Sequence, residues 1–592
     1  MIMKTNNSYK KYEKKVSMHL HNIYSYLLNS KEVDDLTKKI LKITLEKKND
    51  SVKKRKKWSE KDSILICYPD FIKKKNTPSF DLLQNFLDKY LINKFSIIHL
   101  LPFYPSSSDE GFSVIDFFKV DNNYGAWKNI KKISKKFDIM ADVVLNHSST
   151  KNKWFLNFLQ NKAEGKDFYY ALDENIKLSH VVRARSHDLL QKFKTLQGDK
   201  YVWCTFSKDQ VDFDFRNPKV LIKFIDVVMN MLKNGIRVFR FDAVAFIWKR
   251  TETNCINLDQ VHAIVKLFRV ILEEVDKNTL VLTETNLPFF QNISYFGNSD
   301  EAHIVYNFSL SPLIINTLIK ENCVALQRWS MSMSPAKKNT AYLNFLATHD
   351  GIGIRPLEGI LKNSDLKKLL VTLEKFGAKF TFRKNQSNKK SVYEANISLF
   401  DALSGTYKGK DIYKAERFLC AHTMMLAFEG IPAIYSNSLI ATSNDYKLFK
   451  KTKLNRSLNR HRYSEKEINS KLNVKTTISH KIFNKLIKIL DIRKKQKAFH
   501  PNATQYTLNL GSKIFGIWRQ SIDKEQSIFA ITNISSNRQI LDLRKLNIIE
   551  NEKWFDVLGN ITLTIEMKFV HLAPYETTWI TNYTREKNVK KL

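Results

Sequence analysis

Gly235-Ile-Arg-Val-Phe-Arg-Phe-Asp242 reads as a short buried strand that closes on a carboxylate. Arg240 and Asp242 stand two apart, so on an extended backbone their side chains share one face. The segment just before it, 218–233, has the apolar spacing of an amphipathic helix. Asn217 stands at its N-cap, Pro218 at its first position and Gly235 at its stop. The same texture recurs on both sides. Residues 63–67, 95–101, 139–145, 279–283 and 342–346 are further apolar strands, with amphipathic stretches between them. Strand–helix alternation over such a length predicts an α/β fold with a parallel sheet, open or closed.

Polar residues collect where these strands stop. Asp142, Asn146 and His147 close the third, Arg240 and Asp242 the fourth, Glu284 the fifth, and His349-Asp350 a later one. A lone Asp or His at a strand end is usually a helix cap or a loop hydrogen-bonder. Four clusters in this order point elsewhere. In a closed (β/α)8 TIM barrel the C-terminal strand ends form one mouth, where all of these groups would converge.

The remaining chain arranges itself around that barrel. Residues 1–58 are highly charged with helical spacing of apolar residues, and predict a helical extension packed on the main body. The barrel begins in 59–149. Residues 150–215 are aromatic and irregular and form an insertion after strand 3. The barrel resumes over 216–500, with a loop insertion around 356–410. From 501 to 592 the helices stop, and 514–518, 527–532 and 577–580 predict a C-terminal β domain.

The four strand-end motifs together resemble the α-amylase superfamily of glycoside hydrolases and transglycosylases, family GH13. They stand here as Asp142-Val-Val-Leu-Asn-His147, Gly235-Ile-Arg-Val-Phe-Arg-Phe-Asp242, Leu282-Thr-Glu284 and Phe345-Leu-Ala-Thr-His-Asp350. His99-Leu-Leu-Pro-Phe-Tyr-Pro105, Phe246-Ile-Trp-Lys249, Thr283-Glu-Thr-Asn286 and His349-Asp-Gly-Ile-Gly353 are similar to the sucrose-phosphorylase-like branch, and within it to glucosylglycerate phosphorylases. The resemblance implies roles. Asp242 matches the nucleophile, Glu284 the general acid/base and Asp350 the carboxylate that stabilises the transition state. His147 and His349 match donors to a bound glucose, and Asp109 the carboxylate gripping its far hydroxyls. Arg456 matches an arginine of the same subsite. Charge pairing with Arg240 would keep Asp242 ionised, and the clustered negative charge would raise the pKa of Glu284.

The implied reaction is a retaining phosphorolysis with inorganic phosphate as co-substrate, no cofactor and no metal. Some amylases bind calcium through the Asn matching Asn146, but the phosphorylase branch generally does not. True sucrose phosphorylases typically carry a Tyr four residues after the nucleophile and a His two after the acid/base, where Phe246 and Asn286 stand here. That departure favours glycerate as acceptor. Sucrose phosphorylase, sucrose-6-phosphate phosphorylase and an α-glucosidase-type hydrolase remain the alternatives. An anionic acceptor wants a cation, and Lys249 and Arg355 are the candidates, each otherwise a solvated loop charge. Gly351-Ile-Gly353 reads as a tight loop rather than a phosphate cradle.

Composition sets the outer limits. The chain has 592 residues with 97 Lys and Arg against 59 Asp and Glu, a formal net charge of +38. The lysines are spread along the whole length and no nucleic-acid-binding motif accompanies them, so a field that draws in anionic substrates is the expected consequence. The one dense basic run, Lys53-Lys54-Arg55-Lys56-Lys57, has the texture of a solvated linker. Five scattered cysteines, never spaced as CxxC, argue against a disulfide framework or a zinc site and fit a reducing compartment. No secretory signal or membrane span is visible, so the expectation is a cytoplasmic enzyme without nucleic-acid or membrane partners. Its oligomeric state is left open.

Overall fold

The computed structural model describes residues 2–47, 56–174, 176–384, 390–548, 553–559, 561–564 and 566–582. Its centre is a closed barrel of eight parallel strands. They are β1 (Ile64–Cys67), β2 (Ile97–Leu100), β3 (Asp138–Val144), β4 (Ile236–Asp242), β5 (Leu280–Thr283), β6 (Ile304–Tyr306), β7 (Ala341–Asn344) and β8 (Ile431–Tyr435). Each strand pairs with the next, and β1 pairs with β8 to close the ring. Packed side chains fill the inside and helices cover the outside, which is why these strands read as apolar runs without alternation. Pro218–Lys233 is a helix capped by the Asn217 side chain, as its sequence predicts. Strands β6 and β8 escape a sequence reading. One is three residues long, and the other hides behind the helix Lys414–Ala427 in a single apolar run.

Register places the chemistry. Arg240 stands opposite Asp142 on β3 and Leu282 on β5, and Asp242 stands opposite Val144. Both carboxylates therefore lie at the same end of the barrel as Glu284, which follows β5. The insertion over 150–215 leaves and returns at this end. His147–Ser149 pairs antiparallel with Gln210–Asp212, and between them lies a three-stranded sheet of Ala171–Leu172, Leu190–Thr195 and Gly198–Trp203. The second insertion carries the helix Asn363–Lys375 and a hairpin of Lys379–Lys384 with Lys390–Asn396, onto which Ile352–Gly353 adds a third strand. Gly351 makes that junction possible. Its φ is +95°, and a Cβ there would meet the Ala395 carbonyl oxygen at 2.5 Å.

The N-terminal extension is a helical hairpin of α1 (Ile2–Tyr24) and α2 (Ser30–Leu45), joined through a capping box of Asn29 and Glu32. It buries Val16, Leu20, Ile23, Ile40 and Leu41 in the main core, with α1 laid on the barrel helix α3 (Asp259–Val275). Of the basic run, Lys53, Lys54 and Arg55 lie outside the described residues. Its end corrects the linker reading, because Lys57 pairs with Glu273 on α3 at 3.0 Å. The neighbouring Trp58 is buried and donates to Asn502. All five cysteines are buried and free. Among the described residues no helix is long and apolar enough to cross a membrane, and no group of His, Cys, Asp and Glu could hold a metal ion.

The C-terminal domain is a six-stranded antiparallel sheet with a two-stranded companion. Its junction with the barrel rests on two buried arginines that face carbonyls rather than carboxylates. Arg493 donates to Leu426 O and Phe499 O, and Arg519 to Ala427 O, His500 O and Ala503 O. Burial pushes Arg519 down to about 10. Arg519→Ala would strand three carbonyls in the interior, so stability should fall by about 2–4 kcal/mol. The measurement is the denaturation midpoint; an unchanged midpoint would mean that water satisfies the junction.

Candidate active site

β4 delivers the central pair. Arg240 Nη1 donates to Asp242 at 2.7 Å and also to Asp142, which receives the His99 ring at 2.9 Å on its other oxygen. One guanidinium thus serves two buried carboxylates. Burial opposes charge on Asp142, but Arg240 and then His99 overcome it, and its carboxyl lies below the ordinary range. At Asp242 the balance reverses. Burial raises it, Arg240 lowers it, and Glu284 and Asp142 raise it again, leaving it at about 8. Arg240 does pair with Asp242, as the sequence reading expects, but the guanidinium is shared with Asp142.

Glu284 sits directly beyond β5. Its Oε2 accepts the Ala243 backbone N–H at 3.0 Å, a contact that needs Ala243 in the left-handed region at φ +50°. An L-residue held there is strained by about 1–2 kcal/mol, so a tightly packed turn must enforce it. Burial first, and then the nearby Asp350, push Glu284 above the carboxylate range, against the pull of Arg240. Two facing carboxyls that are both raised titrate as a pair and hold one proton between them near neutrality. Arg240 favours the charge on Asp242 and leaves the proton on Glu284.

The opposite wall is built from arginines. Arg456 Nη1 lies 2.9 Å from Asp350 and its Nη2 2.8 Å from Glu394, with Asp109 at 3.6 Å. Arg460 donates to His349 O at 2.8 Å. Burial works against charge on Asp350, but Arg456, His349 and Arg460 outweigh it and hold the carboxyl well below the usual range. Farther out, Arg462 pairs with Asp70 at 2.6 Å and Glu110 at 2.8 Å, while lying over the Tyr68 ring. Two histidines complete the floor, and burial lowers both, His147 to about 4. His349 stacks on Phe112 at 5.1 Å, and its Nδ1 is buried without a protein partner. His147 accepts from Asn146 through Nδ1 and donates from Nε2 to Phe112 O at 3.1 Å, so its free donor is already engaged.

One pocket therefore brings together Asp109, His147, Asp242, Phe246, Glu284, Asn286, His349, Asp350 and Arg456, with Arg240 beneath Asp242. Two sequence candidates do not reach it. Lys249 is buried with its Nζ 2.8 Å from Asn146 Oδ1 and 3.0 Å from Asp212, tying the insertion to the barrel under His147. Arg355 lies behind Asn286, donating to its backbone carbonyl at 2.9 Å. Neither is a solvated loop charge, and neither opens to a ligand. The cation that does is Arg185, from the insertion. It lies 5.6 Å from the Phe206 ring and 5.4 Å from the Tyr393 ring, both pocket residues, and no carboxylate pairs with it among the described residues. Phe206, Gln210, Tyr393 and Glu394 also line the pocket without any strand-end signal to announce them.

A buried carboxylate pair holding one proton, backed by a third ionised carboxylate, is equipped for acid-assisted nucleophilic displacement at an acetal carbon. The required state has one proton on the pair. Rising pH removes it, so kcat/KM should fall through a basic limb set by the raised value of the pair, above the ordinary carboxylate range. The charge of Asp142 raises that value; Asp142→Asn should move the limb to lower pH. A pH–rate profile whose limb stays put, or moves up, would contradict the shared-guanidinium account.

The family description "Alpha amylase, catalytic domain" matches residues 89–501. The chain is 36% identical over 570 residues to the glucosylglycerate phosphorylase of Escherichia coli (strain K12), covering 96% of this chain and 100% of that protein. It is 38% identical over 526 residues to the glucosylglycerate phosphorylase of Allomeiothermus silvanus, covering 88% and 91%. Among solved structures, sucrose 6F-phosphate phosphorylase from Thermoanaerobacter thermosaccharolyticum superposes with a TM-score of 0.71 at 23% identity. It covers 83% of this chain and 97% of that one, a likeness of fold.

Proposed function

The chain belongs to the α-amylase family, glycoside hydrolase family 13, as one of its sugar phosphorylases, and we propose that it catalyses the reversible phosphorolysis of glucosylglycerate to α-glucose 1-phosphate and glycerate. The relatives named above support the substrate, and the pocket supports the chemistry. An Asp242 oxygen attacks the anomeric carbon while Glu284 gives its proton to the glycosidic oxygen, and glycerate leaves as the free hydroxyl compound. The β-glucosyl ester on Asp242 is then attacked by a phosphate oxygen, whose proton passes to Glu284, and the ester bond breaks. Two inversions give retention. Asp350, ionised between Arg456 and Arg460, is suited to accept sugar hydroxyls and to stabilise positive charge developing on the ring. No metal or cofactor enters these steps; inorganic phosphate is the co-substrate.

The observation that carries the acceptor assignment is the unpaired guanidinium of Arg185 in the pocket wall. Glycerate and phosphate are both anions and take turns at the same reacting centre. A single cation that neither carboxylate of the catalytic pair neutralises serves both. Phe246 and Asn286 contribute an apolar edge and one amide on that side.

Two measurements test this. With phosphate, a panel of glucosylglycerate, sucrose and sucrose 6′-phosphate should give glucose 1-phosphate fastest from glucosylglycerate, and proton NMR of the first product should show the α-anomer. Faster turnover of either sucrose compound, or a β-phosphate, overturns the substrate or the double displacement respectively. Arg185→Gln should raise KM for glycerate and for phosphate, each by roughly 10- to 150-fold, since a charge-assisted hydrogen bond is lost. Hydrolysis of α-glucosyl fluoride without phosphate or glycerate, which places no anionic acceptor or phosphate leaving group there, should change far less. Equal losses in both assays would remove Arg185 from the acceptor site.

A further inference from the structure

The loop that follows Asp242 carries Phe246 into the pocket and Lys249 under His147, and between them stands Trp248, fully buried. What buries it comes from the other end of the chain. Tyr24, the last residue of α1, places its ring 6.0 Å from the Trp248 indole at an angle of 54°. Tyr26, in the turn after α1, meets the same indole edge-on at 6.3 Å, and the Arg250 guanidinium lies 5.8 Å from the Tyr26 ring. The Tyr24 hydroxyl donates to Phe215 O at 2.9 Å, in the turn that leads from the insertion to the helix Pro218–Lys233.

These contacts span two segments that Lys249 also joins from the far side, through Asp212 and Phe213 O. The nucleophile loop and the insertion exit are thus held together twice. One clasp is an ion pair beneath His147, and the other is an aromatic clasp supplied by the N-terminal hairpin. The hairpin itself is fixed, since α1 packs along α3 and its core face is buried. We infer that Tyr24, Tyr26 and Trp248 are positioning residues: the N-terminal hairpin sets the loop that places Phe246 at the leaving-group side and, through Lys249 and Asn146, His147 at the sugar side. None of the three touches the reacting atoms.

The test needs a readout that general destabilisation would not imitate. Hydrogen exchange by mass spectrometry on the full-length protein provides one and is independent of the substrate assignment. In Tyr24→Ala, peptides covering 243–250 should exchange about 2- to 10-fold faster, the loss of an aromatic pair, while β1 and β8 peptides keep their protection. Tyr24→Phe retains the ring and should restore most of that protection. Tyr26→Ala covers the case in which Tyr24→Ala fails to fold, because Tyr26 is 48% exposed and its removal leaves no interior gap. It should loosen the same peptides.

The kinetic arm rests on the glucoside reading above. With glucosylglycerate and phosphate, Tyr26→Ala should raise KM several-fold, about as the aromatic pair is worth, with kcat within about twofold. A smaller folded fraction would instead lower the apparent kcat at constant KM. Unchanged exchange at 243–250 in the folded variants, uniform loosening of the whole barrel, or loss of kcat alone would each overturn the inference. If the wild type ignores glucosylglycerate, the substrate reading fails, and the exchange result still decides the clasp.

Discussion

A single guanidinium held between two buried aspartates sets the character of this protein. Arg240 can neutralise one negative charge, yet Asp142 and Asp242 both lean on it, and Glu284 stands close by. An interior cannot keep every such carboxylate ionised, because the desolvation cost of each exceeds what a shared partner returns. Asp142 keeps its charge, being fully enclosed with His99 and Arg240 aimed at it. The remaining deficit falls on the catalytic pair, which answers by retaining a proton. The acid that a glycoside needs is therefore a product of charge arithmetic at the barrel mouth. Across the pocket the same arithmetic runs the other way. Arg456 and Arg460 both lie against Asp350 and, with His349, hold it ionised. Asp350 thus has two guanidinium groups against it, while Asp242 and Glu284 share the pull of Arg240 with Asp142.

The barrel and its strand-end groups were legible in the sequence because they are local. A strand of four to seven apolar residues closing on a carboxylate can be recognised without knowing its neighbours, and parallel pairing brings such ends together. Of the pocket walls, Asp109 and Arg456 entered only through the family resemblance, and the rest was not legible, for the opposite reason. Arg462 meets Asp70 across 392 positions of chain, and Arg460 meets Asp350 across 110. Arg185 and Phe206 belong to irregular stretches of the first insertion, where neither periodicity nor turn chemistry fixes the direction of a side chain, and Tyr393 to a hairpin of the second. Lys249 shows the same limit within a motif. Three residues beyond the pocket residue Phe246, its side chain turns under the floor toward Asp212.

The two insertions and the N-terminal hairpin are fastened by different physics. Asp212 is a hub of buried polar bonds, receiving Asn146, Thr205 and the Lys249 ammonium, so the first insertion is pinned at its exit by charge. The second is pinned by backbone: Gly351 lets the chain after Asp350 pass against the Ala395 carbonyl, and the resulting three-stranded sheet carries Glu394 to Arg456. The hairpin adds apolar and aromatic burial, with the Tyr24 hydroxyl bonded to Phe215 O. Charged fastenings suit the inner wall, where they also tune carboxylates, and apolar packing suits the outside, where it perturbs no titration.

The acceptor side follows from where charge was left over. A guanidinium aimed at a carboxylate is a closed account electrostatically, and that describes Arg240, Arg456, Arg460 and Arg462. Arg185 lies against two aromatic rings instead, with Nη1 donating to Ala184 O at 3.2 Å, and it lines the cavity without a carboxylate partner among the described residues. Rigid placement matters more than charge alone, since a flexible lysine at the rim would lose side-chain entropy on each binding event. The net positive charge of the chain reinforces this at long range by raising the local concentration of anions, whichever of them the pocket then holds. In the proposed phosphorolysis two anions reach one centre in succession, and a cation held against aromatic rings suits both without rearrangement.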